Sequence, residues 1–118
     1  MRMIRIQLNN DEAREQFLHI WIADTFFTRL KGLLGTTALA DNQGLLLRNC
    51  NSVHMIGMRY ALDIVYLSKE GHILKLVENL QPWQMSVCWV AHDTLEVKAG
   101  MIIQAKWQIG DYLQWNEK

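Results

Sequence analysis

The chain contains two cysteines and one proline in 118 residues, and its charges cancel, with twelve Lys plus Arg against twelve Asp plus Glu. Two cysteines are too few for a disulfide scaffold, so a reducing cytoplasm is the expected compartment. With a single proline and no Ser/Gly-rich or repeated stretch, there is no linker to divide the chain, and residues 1–118 are expected to form one domain. Zero net charge excludes a function resting on bulk electrostatics. Nucleic-acid binders carry a basic surplus and membrane-surface proteins a polybasic segment, so neither nucleic acid nor membrane is expected as a partner. No stretch approaches the roughly 20 apolar residues that cross a bilayer. The segment Met1 to Leu8 has basic residues but no apolar core of a secretion signal.

What the chain does have is apolar mass. Half of its residues are hydrophobic, and a domain of this length buries roughly two thirds of its unfolded surface, enough to fold without a structural metal. Met3 to Leu8 alternates imperfectly with period two and reads as a strand, Asn9-Asn10-Asp11 as a turn, and Phe17 to Ala23 as a second strand. Asp24 or Thr25 can cap a helix to Leu34, since Phe26, Phe27, Leu30, Leu33 and Leu34 recur at helical spacing before Gly35. Further short strands are expected over Gly44–Leu47, Ser52–Ile56, Leu62–Leu67, Ile73–Glu78, Val87–Val90, Thr94–Val97 and Tyr112–Trp115. Ser68 to Gly71 is the clearest hairpin turn, and Met101–Trp107 fits helix and strand equally. The fold class is mainly β with a minor α part: a compact antiparallel β-sandwich or barrel with a short helix after an early strand.

Two stretches carry the same spacing, Cys50-x3-His54 and Cys88-x3-His92. On helices each pair would span about 6 Å and two pairs could hold zinc. On strands, residues four apart lie roughly 13 Å apart, too far for one ion, so no metal is expected. Cys50 or His54 with Asp63 as orienting carboxylate would make a thiol-dependent enzyme or hydrolase. A Cys50–Cys88 redox pair is a further arrangement, set against two plain reduced cysteines in a core. Gly32-Leu33-Leu34-Gly35 lacks the Gly-Lys-Ser/Thr ending of a phosphate loop. Trp21, Trp89, Trp107 and Trp115 read as packing residues, whereas Trp83, beside Pro82 in a turn, reads as an exposed contact residue.

The order of motifs resembles a known family. Arg29-x-x-Gly32-Leu33-Leu34, Gly44-Leu45-Leu46-Leu47, Ser52-Val53-His54-x-x-x-Met58, Leu62-Asp63-Ile64-Val65-Tyr66-Leu67, Gly71, Pro82, Leu95-Glu96-x-x-Ala99-Gly100 and Gly110-Asp111 are together similar to the domain-of-unknown-function family 192 (DUF 192, or UPF 0127), from about Trp21 to Leu113. The resemblance implies a small, mostly β domain and no established activity. The chain departs from the pattern at Lys98, where proline is common, and over Val53–Gly57, where aromatics are frequent. Carried over position by position, Arg29, His54, Met58, Arg59 and Asp63 are the matches with roles beyond packing. Against this stand plainer roles: Arg29 and Asp63 pairing with each other or with backbone, His54 hydrogen-bonded on its strand, and Met58 filling a gap.

These residues define the expected function: an uncharacterised small β-domain acting as a non-enzymatic binding or accessory module. A groove lined by His54, Met58, Arg59 and Asp63, with Arg29 and Trp83, would receive a peptide or small ligand, with no cofactor. Alternatives are the thiol or hydrolase activity above and an oligomerising structural module that pairs exposed edge strands between chains.

Overall fold

The computed structural model describes residues 2–9, 17–23, 43–56 and 58–115. The expected helix from residue 24 to 34, with Arg29, lies outside the described residues. Among the described residues the strands are β1 (Arg2–Asn9), β2 (Phe17–Ala23), β3 (Gln43–Leu47), β4 (Ser52–His54), β5 (Leu62–Leu67), β6 (Ile73–Leu80), β7 (Met85–Val87), β8 (Asp93–Lys98) and β9 (Tyr112–Trp115), with one short helix, α1 (Met101–Ala105). Seven strands form one sheet in the order β6-β5-β8-β3-β2-β1-β9, while β4 and β7 pair separately. All pairings are antiparallel except β2 with β3. A parallel pair needs a crossover of a dozen or more residues, and residues 24–42 supply that length.

The large sheet curls until its two edges touch at one end. There His72 bridges Tyr112, with Ile73 N–H donating to Asp111 at 2.7 Å and Leu113 N–H to Gly71 at 2.9 Å. Pairing stops at that corner, so the sheet is not closed into a barrel, and the mainly-β expectation resolves to a curled sheet with a small second sheet laid on its outside. The concave side holds Ile20, Ile22, Leu46, Val65, Leu67, Leu95 and Val97 around Met101, Ile102 and Trp107 at α1. Leu45, Leu47, Leu62, Ile64 and Tyr66 project from the convex side into a second cluster with Val53, Met55, Met58 and Cys88 from the β4–β7 pair and its flanks. β5 is therefore buried along its whole length. That explains why Leu62 to Leu67, apart from Asp63, reads as an apolar run instead of an alternating one. Lys75 of β6 helps to fasten the small sheet, donating to the Val87 carbonyl at 2.9 Å.

The undecided segment Met101–Trp107 becomes a helix because its start is capped from a distance. Gly100 takes φ 97 and offers no capping side chain. Asp63 supplies the acceptor instead, its Oδ2 receiving the N–H groups of Gly100 at 3.0 Å and Ile102 at 2.9 Å. The register of β5 against β6 shifts between Leu62 and Ile64, and the Asn79 N–H beside that bulge donates to Asp63 Oδ1 at 2.8 Å.

Candidate functional site

The β4–β7 pair carries the exposed residues that sequence reasoning singled out. Its ladder is flanked by bonds from Cys88 N–H to Asn51 and from Met55 N–H to Gln84; Val53, opposite Ser86, is buried, whereas the next pair, His54 opposite Met85, is exposed and faces out. His54 is exposed. Around it Met85 is 65%, Ile56 59% and Trp83 72% exposed. The Met55 carbonyl accepts from both Trp83 N–H, at 2.9 Å, and Met58 N–H, at 3.3 Å. The segment leading to the exposed Arg59 therefore starts beside Trp83, whereas Met58 itself is buried.

Trp83 stands out for its backbone as well as its exposure. It follows Pro82 in a turn closed by Gln84 N–H to Gln81 at 3.1 Å and by Gln81 N–H to the Gln84 side chain at 2.8 Å. Trp83 has φ 71, the type II position that glycine or asparagine ordinarily takes. For a bulky side chain, that conformation costs on the order of 1–3 kcal/mol, and such strain concentrates where a side chain serves function. Here the strain accompanies a large aromatic ring standing mostly in solvent.

The predicted groove does not form as drawn. Asp63 shares its β5 face with Val65 and Leu67, on the concave side under α1. His54, Arg59 and Trp83 belong to the small sheet and its flank on the convex side. Asp63 is fully buried with both carboxylate oxygens engaged by backbone amides, so it orients neither His54 nor Cys50, and the carboxylate assigned to the thiol or hydrolase reading is a helix cap. Trp89, expected in the core, is 80% exposed. The strand expected to reach Val90 ends at Val87, and Trp89 sits in a turn closed by Ala91 N–H to Cys88 at 2.9 Å. Trp107 packs as expected; the side chains of Trp21 and Trp115 lie outside the described residues.

Sequence reasoning missed a cluster beside the first Cys-x3-His motif. Asp93 is buried, and its Oδ1 accepts the Asn49 N–H at 3.0 Å, lies 3.0 Å from His92 Nδ1 and 3.5 Å from Arg48 Nε. Asn49 has φ 53, so the carboxylate braces a left-handed turn just before Cys50. The adjacent His92-Asp93 pair was the one available signal. Among the described residues, no three His, Cys, Asp or Glu side chains gather into a group that could hold a metal ion.

Beneath the small sheet, burial pushes the Tyr66 phenol above its ordinary pKa of 10.0; the Ser86 side chain opposes this, and Cys88, Cys50 and Glu96 add to it. The fold thus keeps the phenol protonated at pH values where the unfolded chain has released the proton. That stabilisation is complete below the unfolded pKa and is lost as pH rises through the folded one. Urea titrations at about pH 9 and about pH 11 are expected to show a larger loss of stability in the wild type than in Tyr66→Phe. Equal losses would mean that the phenol is hydrated in the folded chain.

With the geometry in place, comparison with known proteins identifies the family. The model of the uncharacterized family DUF192 matches residues 6–115. The chain belongs to this family. A UPF0127 protein of Thermococcus sibiricus is 31% identical over 113 residues, covering 92% of this chain and 73% of that protein. A UPF0127 protein of Pyrococcus furiosus is 30% identical over 113 residues, covering 92% and 97%. Among solved structures, one from Sinorhizobium meliloti, described as a "putative transcription regulator", superposes with a TM-score of 0.88 at 21% identity, covering 97% of this chain and 94% of that one. A protein of unknown function from Novosphingobium aromaticivorans gives 0.83 at 19% identity, covering 96% and 85%. These two likenesses establish the fold shared by this DUF192 chain.

Proposed function

We propose that this DUF192 domain is a non-enzymatic binding module whose contact surface is the outer face of the β4–β7 pair, and that its ligand is a short peptide segment. The observation that supports this most is Trp83, 72% exposed at a backbone angle of φ 71: the chain tolerates strain in order to present an indole. Ile56, Met85 and His54 extend the strip, and Arg59 adds a cation that suits a carboxylate on the ligand. Three apolar side chains this exposed leave roughly 400–500 Å² of apolar surface, within the range of functional patches on monomers. A stable interface between folded partners needs about 800 Å² from each, so the strip suits a short segment better than a second copy of the chain. Zero net charge argues against nucleic acid as the ligand.

Panning a displayed library of random decapeptides against the purified chain tests the proposal. Peptides carrying apolar and acidic residues are expected, with micromolar affinity and at least about tenfold weaker binding to Trp83→Gly, the loss of one buried aromatic contact. Glycine accepts the positive φ, so the same variant is expected to unfold within about 1 kcal/mol of wild type or above it. Failure to select any peptide, or selection of peptides indifferent to Trp83, would overturn the reading.

A further inference from the structure

The two cysteines lie at the other end of the same small sheet, and their backbones are pinned beside each other. Cys88 N–H donates to Asn51 at 2.8 Å, Cys50 N–H to His92 at 3.0 Å, and Ala91 N–H to Cys88 at 2.9 Å. Thr94 Oγ1 donates to the Cys50 carbonyl at 2.7 Å. Asn51 and Cys88 are thus joined by one backbone hydrogen bond just beyond Ser52–Val87, the last pair of the β4–β7 ladder. Cys50 is one residue further along, and at ordinary strand spacings its Cα would lie roughly 6 Å from that of Cys88, within the approximately 4.4–6.8 Å that a disulfide bridges. In a regular strand the two side chains would point to opposite faces. Cys50 precedes β4, however, and packs against the same buried cluster that holds Cys88. Tyr66 belongs to that same cluster.

We infer that Cys50 and Cys88 form a reversible intramolecular disulfide that locks the β4–β7 sheet to its flanking turn. Cys50 is part exposed and Cys88 buried, so a low-molecular-weight disulfide enters at Cys50. Its thiol now donates to the Ser52 carbonyl at 3.1 Å and must turn away from it. The Cys50 thiolate, its proton passed to solvent, attacks one sulfur of oxidised glutathione, forming a mixed disulfide and releasing one glutathione. The Cys88 thiolate then attacks the Cys50 sulfur and releases the second. Two protein thiols are oxidised and one glutathione disulfide is reduced to two thiols. In a reducing compartment the pair stays a dithiol.

The test is to equilibrate the chain in glutathione buffers of increasing oxidised fraction, alkylate with N-ethylmaleimide and measure intact mass. A species lacking two hydrogens and both maleimide adducts is expected to grow with the oxidised fraction. It should be absent from Cys50→Ser and from Cys88→Ser. Amide exchange at Val53 and Ser86 is expected to slow at least about tenfold on oxidation, because opening of the small sheet is then restrained. Any of three results would overturn the inference: two maleimide adducts at every ratio, a persisting glutathione adduct on Cys50 with Cys88 still alkylated, or a disulfide between chains. Because the wild-type masses decide the question, a serine variant that fails to fold does not obscure it. Peptide binding at Trp83 is a separate measurement, so either idea can fail alone.

Discussion

Asp63→Ala is expected to lower the unfolding free energy by about 3–5 kcal/mol. Three backbone N–H groups, those of Asn79, Gly100 and Ile102, donate to this one carboxylate; a buried donor deprived of its acceptor, as at Ile102, costs about 1–3 kcal/mol, the two part-buried bonds add less, and the carboxylate's own burial makes up the rest. The whole domain is stabilised by only about 5–15 kcal/mol, so the loss is a large fraction of the total. A fall in Tm of roughly 12–20 °C follows for a chain of this size. Asp63→Asn keeps one carbonyl oxygen but turns an amide NH2 toward donors, and is expected to recover only part of the loss. Thermal and urea unfolding provide the measurement, and faster amide exchange at Gly100 and Ile102 would localise the damage to the start of α1. A loss below about 1 kcal/mol for the alanine variant would show that water replaces the carboxylate, which contradicts its burial.

Gly44→Ala is expected to cost a further several kcal/mol for a steric reason. A Cβ at this position would lie 2.8 Å from Ile20 Cδ1, 2.9 Å from the Glu96 carbonyl oxygen and 3.0 Å from Val97 Cγ1. The Ile20 methyl can swing aside. The Glu96 carbonyl belongs to the β8 backbone, between β5 and β3 in the sheet order, and moving it strains the ladders around it. Overpacking of a filled core typically costs about 1–3 kcal/mol, and contact with backbone places this case at or above the upper end. Gly44→Ala combined with Ile20→Val removes one of the three close contacts and is expected to restore only part of the stability. If the double variant regained wild-type stability in urea, the β8 backbone would not be the obstacle.

How much of this was legible beforehand varies from element to element. The Ser68–Gly71 turn and the flanking strands were readable because turn chemistry and apolar runs are local. Trp83 was readable as exposed because a tryptophan beside a proline in a polar turn has no neighbouring strand to pack on. Trp89 was misread because Val87–Val90 looks like a strand in isolation, whereas the strand ends at Val87 and the hydrogen bond from Ala91 to Cys88 closes a turn there. Met101–Trp107 was ambiguous because the acceptor that starts the helix comes from β5, far away in sequence.

By itself, the amino-acid order determined that this chain makes short strands, carries no charge surplus and matches the DUF192 motif order. It also marked His54, Arg59 and Trp83 for attention. Only the tertiary structure decided that Asp63 turns inward to cap α1 while those three lie on the opposite side of the large sheet. The physical reason is that strand periodicity tells which residues share a face, but a strand buried on both faces gives no sign of what each face meets. That depends on pairings between distant segments, and here it is the small sheet laid over the convex face that divides the expected groove into a structural carboxylate and an exposed strip.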